Sequence, residues 1–152
     1  MQQPREGNAV GLQFETLRSY PICVLMPPGH ALSRVRSVTL DRLAAERLVV
    51  FGRKDYADYH SLLDHVLATA QQKPTIAVEC DGASSLFTEV EAGRGVAVLP
   101  QVFARIVGRR LVMRPLTPNP EPLLVGIARA TRTDVTPAGE RFCQLLRDAA
   151  SP

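Results

Sequence analysis

The chain has 152 residues, room for one ordinary domain or two small lobes, and 45% are hydrophobic, so a packed core is expected rather than disorder. Its 18 Lys and Arg against 15 Asp and Glu leave a net charge of +3, which supports solubility more than a nucleic-acid groove. Aromatics are only 5% with no Trp, which argues against a stacking platform for single strands. No apolar run reaches the roughly 18 residues of a membrane span, and the opening MQQPREGNAV lacks the core of a secretory signal, so a cytoplasmic chain is expected.

Residues 1–10 read as a frayed polar start. Leu12–Leu17 alternates, as a half-exposed strand does, and Ser19-Tyr20-Pro21 reads as a turn. Ile22–Met26 is a continuous apolar run, expected to be a central strand. Pro27-Pro28-Gly29 stops it and forms a stiff connector. His30 is read as a structural hydrogen-bonding residue, and Arg34–Ser37 as a basic loop. Thr39 is placed to cap a short helix, Leu40–Ala45, with Leu40, Leu43 and Ala44 inward. Leu48–Phe51 is the next buried strand, and its carboxyl end opens into GRKDYADYH, the densest polar and aromatic stretch. Leu62, Leu63, Val66, Leu67 and Ala70 then mark an amphipathic helix.

The organising stretch is VECDGASSLFTEVEAGRGVAVLP, Val78 to Pro100. Thr75–Cys80 is read as a buried strand, Asp81 as the cap of a helix carrying Phe87 and Val90, and Gly93 as its left-handed terminator. Val96–Leu99 is apolar on both faces, as a parallel strand covered by helices would be. Ligands lie at the carboxyl ends of such strands, which points to Asp81–Ser85 and, on the same rim, Gly52–His60. After Pro100 a helix is expected to bury Val102, Phe103, Ile106 and Val107, with Gly108 ending it. Leu111–Met113 and Leu123–Ala128 read as strands. Thr136-Pro137 opens a last helix burying Phe142, Leu145, Leu146 and Ala149. Arg105, Arg109, Arg110 and Arg114 are read as a solvated face.

Two proline-rich connectors, near Pro27–Gly29 and Pro115–Pro122, thus divide the chain. Residues 29–116 form an inserted lobe, and residues 1–28 with 117–152 a thin outer one, in the layout of a hinged clamp. The effector-binding candidates are Phe51, Gly52, Lys54, Tyr56, His60, Asp81, Gly82, Ser84, Ser85 and Pro100. Ser84 and Ser85 could hold a carboxylate or hydroxyl through side chains and free N–H groups, though plain helix capping explains them equally. Cys23, Cys80 and Cys143 show no metal spacing and are read as reduced thiols; neither metal nor cofactor is expected. Ser84 with His60 and Asp55 or Asp58 could be drawn as a triad, and Cys80 with His60 as a thiol pair. Neither carries a catalytic signature, so no enzyme is expected.

The order YPICVLMPPGHALS, VTLDRLAAERLVVF, VEAGRGVAVLP, LVMRPL and a closing helix resembles the effector-binding domain of LysR-type transcriptional regulators. VEAGRGVAVLP matches that family's V-A-A-G-x-G-V-A-x-x-P pattern. The resemblance implies a two-lobed α/β clamp of the periplasmic-binding-protein-like (type II), Rossmann-like kind, with a small organic effector between the lobes. It also implies that the first lobe is incomplete and the winged helix-turn-helix absent, so that DNA binding lies outside these residues. Homo-oligomers through the first lobe are expected, with Leu12–Leu17 and the Phe142–Ala149 helix as candidates. A free solute-binding protein of the same fold is the alternative, and a small hydrolase a more remote one.

Overall fold

Ile22 to Met26 are five apolar residues in a row, and all five are buried, as in a strand with partners on both edges and cover on both faces. The computed structural model describes residues 11–151, so the expectation for residues 1–10 lies outside the described residues. Its elements begin β1 (Leu12–Tyr20), β2 (Ile22–Met26), a 3-10 turn (Ala31–Arg34), β3 (Val38–Thr39), α1 (Leu40–Ala44) and β4 (Arg47–Phe51). Then come α2 (Ala57–Val66), β5 (Thr75–Cys80), α3 (Ala83–Glu91), β6 (Ala97–Pro100) and a 3-10 turn (Gln101–Phe103). The chain closes with α4 (Ala104–Val107), β7 (Val112–Thr117), β8 (Leu123–Ala130) and α5 (Pro137–Ala150). The contacts divide the chain into residues 21–122 and residues 1–20 with 123–152.

In the 21–122 unit, β2 lies between β6 and β7 and is antiparallel to both, with Cys23 opposite Leu99 on one side and Pro115 on the other. β3 runs parallel to β7 on its far edge. β4 and β5 pair in parallel, and the Leu48–Val96 bridge sets β4 beside the start of β6. Two bonds close that bridge: Val49 N donates to Val96 O, and Val96 N donates to Arg47 O, both at 2.9 Å. The strands therefore follow the order β5-β4-β6-β2-β7-β3. Leu86, Phe87 and Val90 of α3 pack into a core shared with Leu25, Val49, Phe51, Ala97 and Leu99.

The two glycines of the AGRG turn serve different ends. Gly93 takes a φ of +74°, and the bonds Gly93 N to Val90 O and Arg94 N to Glu89 O end α3 in a Schellman motif. Gly95 lets β4 approach: a Cβ there would strike the Arg47 carbonyl oxygen and stand 3.3 Å from Val49 Cγ2.

In the other unit β1 and β8 form an antiparallel ribbon, from Leu12 opposite Ala130 to Tyr20 opposite Leu123, with a bulge between Thr16 and Arg18. Gly126 is needed here because a Cβ would meet the Glu15 carbonyl and stand 2.9 Å from Phe14 Cζ. Thr136 caps α5, its Oγ1 accepting from Gly139 N at 3.1 Å, with Pro137 in the first helical position.

Several expectations need correction. The unit boundaries fall at 20/21 and 122/123 rather than 28/29 and 116/117, because β2 is hydrogen-bonded into the larger sheet. Ser19 and Tyr20 continue β1 instead of turning, and Pro115 lies within β7. β5 is an edge strand with Ile76 46% exposed, not a buried one. The α3 connection from β5 to β6 skips one strand, with β4 lying between them. After Pro100 there is only a 3-10 turn and one helical turn, and Ile106 is 64% exposed. On α5 the buried residue is Cys143, while Phe142 and Leu145 are 61% and 58% exposed and Ala149 is exposed. Arg114 is no solvated side chain: its Nε and Nη2 both donate to Ser33 O, at 3.1 and 2.8 Å.

Candidate functional site

β4 and β5 end side by side, with Phe51 opposite Cys80 and Gly52 N donating to Cys80 O at 2.8 Å. From those ends the chain turns into α2 and α3. Their N-cap positions, Tyr56 and Gly82, make no side-chain bond to the first turn. Two helix N-termini that lack a bond from their N-cap side chains therefore lie on one rim, each carrying the positive end of its dipole. Asp81 does not cap α3 as expected; its Oδ1 instead accepts from Ser85 Oγ at 2.6 Å.

An aromatic group backs the rim. The Phe51 ring stacks on Tyr56 at 4.5 Å and 21° and meets Tyr59 edge-on at 5.0 Å. The Tyr56 hydroxyl donates to Asp81 O at 3.0 Å, strapping the start of α2 to the end of β5. His60 is buried at 2% exposure, and its Nε2 donates to Phe51 O at 2.6 Å, so it braces the end of β4 from within. That bond serves structure, and it leaves Nε2 unavailable as a base for Ser84 or Cys80.

The structure thus gathers Phe51, Gly52, Tyr56, Asp81, Gly82 and Ser85 at two adjacent strand ends. Lys54 and Ser84 are exposed beside them, and Ser84 O accepts from Thr88 Oγ1 at 2.9 Å. Pro100 is buried at the end of β6, which runs in the same direction as β4 and so ends toward the same rim. Tyr59 lies in the GRKDYADYH stretch that the sequence offers, with Lys54, Tyr56 and His60, as a candidate cleft lining; its ring and that of Tyr56 both pack on Phe51.

Burial pushes the Cys80 thiol upward, with Glu89 and Asp81 adding to it and a bond from Ser85 opposing. Burial alone pushes Cys23 up to about 11. Both thiols stay protonated near neutral pH and are poor nucleophiles. Among the described residues no group of three His, Cys, Asp or Glu could hold a metal ion, and no helix is long and apolar enough to cross a membrane. A separate open hollow of about 130 Å³ lies at the far end of α2, lined by residues including His65, Val66 and Pro118. It is well below the size of an ordinary small-molecule site.

The fold and rim define a class: an α/β protein of the type II periplasmic-binding-protein-like fold. The profile of the LysR substrate binding domain matches residues 3–151, and the chain belongs to that family. It is 28% identical over 135 residues to the HTH-type transcriptional regulator YybE of Bacillus subtilis (strain 168), covering 89% of this chain and 45% of YybE. The chain therefore spans about half the length of that relative. Among solved structures, the CcmR regulatory domain of Synechocystis PCC6803 in complex with 2-PG superposes with a TM-score of 0.77 at 15% identity, over 99% of this chain and 72% of that one. The BenM effector binding domain with its effector benzoate does so at 0.77 and 16% identity, over 93% and 64%.

Proposed function

We propose that the chain is the effector-sensing part of a LysR-type transcriptional regulator, acting in the cytoplasm, and that a small anionic or polar organic molecule binds at the β4/β5 rim. Phe51, Gly52, Lys54, Tyr56, Asp81, Gly82, Ser84 and Ser85 would face it, with His60 and Pro100 supporting the rim from inside. The observation that carries this reading is the pair of helix N-termini, α2 and α3, that lack a bond from their N-cap side chains and open over adjacent parallel strand ends. Such ends favour a carboxylate or similar group without needing a dedicated cation. The effectors of BenM and CcmR support a ligand of this size.

Sensing requires that the ligand bind two arrangements of the protein unequally. In a complete regulator of this family the resulting shift would pass through an oligomer to residues that hold DNA. The protein turns nothing over in this account. A thermal-melting screen with small carboxylates tests it. A ligand at about 100 times its Kd contributes roughly 2.7 kcal/mol, a shift of several degrees. Stabilisation with the compound recovered unchanged supports the reading. Consumption of the compound, or no stabilisation by any carboxylate, overturns it.

A further inference from the structure

Tyr59 is set the opposite way round from an ordinary surface tyrosine. Such residues bury the ring and leave the hydroxyl in water. Here the ring is half-buried, while Oη is wholly enclosed and has no hydrogen-bond partner. The ring stands edge-on to Phe51 at 5.0 Å and to His60 at 5.5 Å, so it belongs to the wall of the rim. Burial, reinforced by the nearby Cys80 thiol, keeps the phenol protonated and therefore a donor. Native proteins pair nearly all enclosed polar groups. An unspent donor beside a binding rim marks where a partner arrives with the ligand.

We infer that Tyr59 is a specificity residue of this rim: its hydroxyl donates to an acceptor oxygen of the effector, and Tyr56 is the cover that moves aside to admit that oxygen. The inference rests on the effector site proposed above. Tyr56 suits the part because its ring lies on Phe51 at 4.5 Å and a hydrogen bond at its outer end, to Asp81 O at 3.0 Å, ties it down. A planar ring stacked on another is a contact that a flat apolar ligand body can take over. With two positive helix ends alongside, the ligand class is a small planar carboxylate whose oxygen reaches inward to Tyr59.

The test uses melting curves of the full chain and of Tyr59→Phe and Tyr56→Phe, alone and with benzoate, 4-hydroxybenzoate, phenylacetate or cyclohexanecarboxylate. Tyr59→Phe loses no bond in the free protein, so it is expected to melt no lower than the parent without ligand. It should bind the stabilising carboxylate about tenfold more weakly, the equivalent of one hydrogen bond. Tyr56→Phe, freed of its strap, should bind at least as tightly as the parent. A Tyr59→Phe protein that melts clearly lower without ligand would show the hydroxyl already paired, through the protein or a fixed water, and overturn the inference. Equal affinity in parent and Tyr59→Phe overturns it too, while leaving the rim standing. Weaker binding by Tyr56→Phe contradicts the cover. Failure of all four carboxylates to stabilise the parent removes the rim, and Tyr59 with it.

Discussion

Arg147 on α5 grips Glu15 on β1 with both prongs of its guanidinium, Nε to Oε1 at 2.7 Å and Nη2 to Oε2 at 2.9 Å. Arg129 of β8 and Arg147 also meet Glu140, at 3.3 and 3.2 Å, so one charge network ties the helix to both strands of the ribbon. Planar bidentate pairs of this kind position as well as attract.

The first prediction concerns pH. The bond from Arg147 is the largest influence on Glu15 and, against the opposing effect of desolvation, holds its carboxyl below the ordinary value. A depressed folded-state pKa stabilises above the unfolded pKa, and that contribution fades as pH falls through the folded value. Glu15→Gln should therefore melt lower than the parent at pH 7, and the gap should close in acid, below about pH 4. The pair is partly exposed, so high salt should narrow the gap as well. A gap independent of both pH and salt would show that the charge of Glu15 contributes nothing.

A second prediction separates the two glycines of the AGRG turn. Gly93→Ala places an ordinary residue at a φ of +74° with open space around it, costing about 1–2 kcal/mol. Gly95→Ala drives a methyl against the Arg47 backbone, where neither strand can yield without breaking the Val96–Arg47 bond. Its cost should be the larger, about 3 kcal/mol or more, read by urea unfolding. Equal costs would contradict the close-approach role of Gly95.

Asp81 offers a third. It is exposed beside the start of α3, so its carboxylate competes with an anionic ligand for the helix end. Asp81→Asn is expected to tighten carboxylate binding about threefold at low salt, a gain that shrinks as salt is added. Weaker binding in the variant would mean that Asp81 receives a donor group of the effector instead.

The fourth concerns self-association, proposed here for the face of α5 that carries Phe142 and Leu145. At 61% and 58% exposure these side chains leave an apolar stripe in water. Light scattering should show the parent heavier than one chain, and Phe142→Ser with Leu145→Ser should reduce it toward the single-chain mass. A parent that is already a monomer contradicts the proposal.

Much of this architecture was legible in the residues. Runs such as Ile22–Met26 and the Thr136-Pro137 start of α5 act through local sterics and capping, which a sequence displays directly. The order of strands is not local: β4 enters between β5 and β6 because Gly95 leaves room for Arg47, a meeting between residues almost fifty positions apart. Burial on α5 departs from the expected stripe for a similar reason. Periodicity shows that Phe142 and Leu145 share a stripe with Leu146 but not how much of that stripe the ribbon covers, and Cys143 takes the buried place. At the proposed rim, the strand ends and helix starts themselves are legible in the residues. The inward turn of the Tyr59 hydroxyl and the bond from His60 to Phe51 O depend on packing that no spacing rule displays.

The proposed ligand sits over the carboxyl ends of β4 and β5. Amide chemical-shift mapping of the isotopically labelled chain, titrated with a carboxylate that raises its melting temperature, measures this directly. The largest shifts are predicted at Gly52, Lys54, Ala57, Ser84 and Ser85, the amides around the two helix starts. Shifts centred instead on the hollow near His65 and Pro118, or on the β1/β8 ribbon, would contradict it.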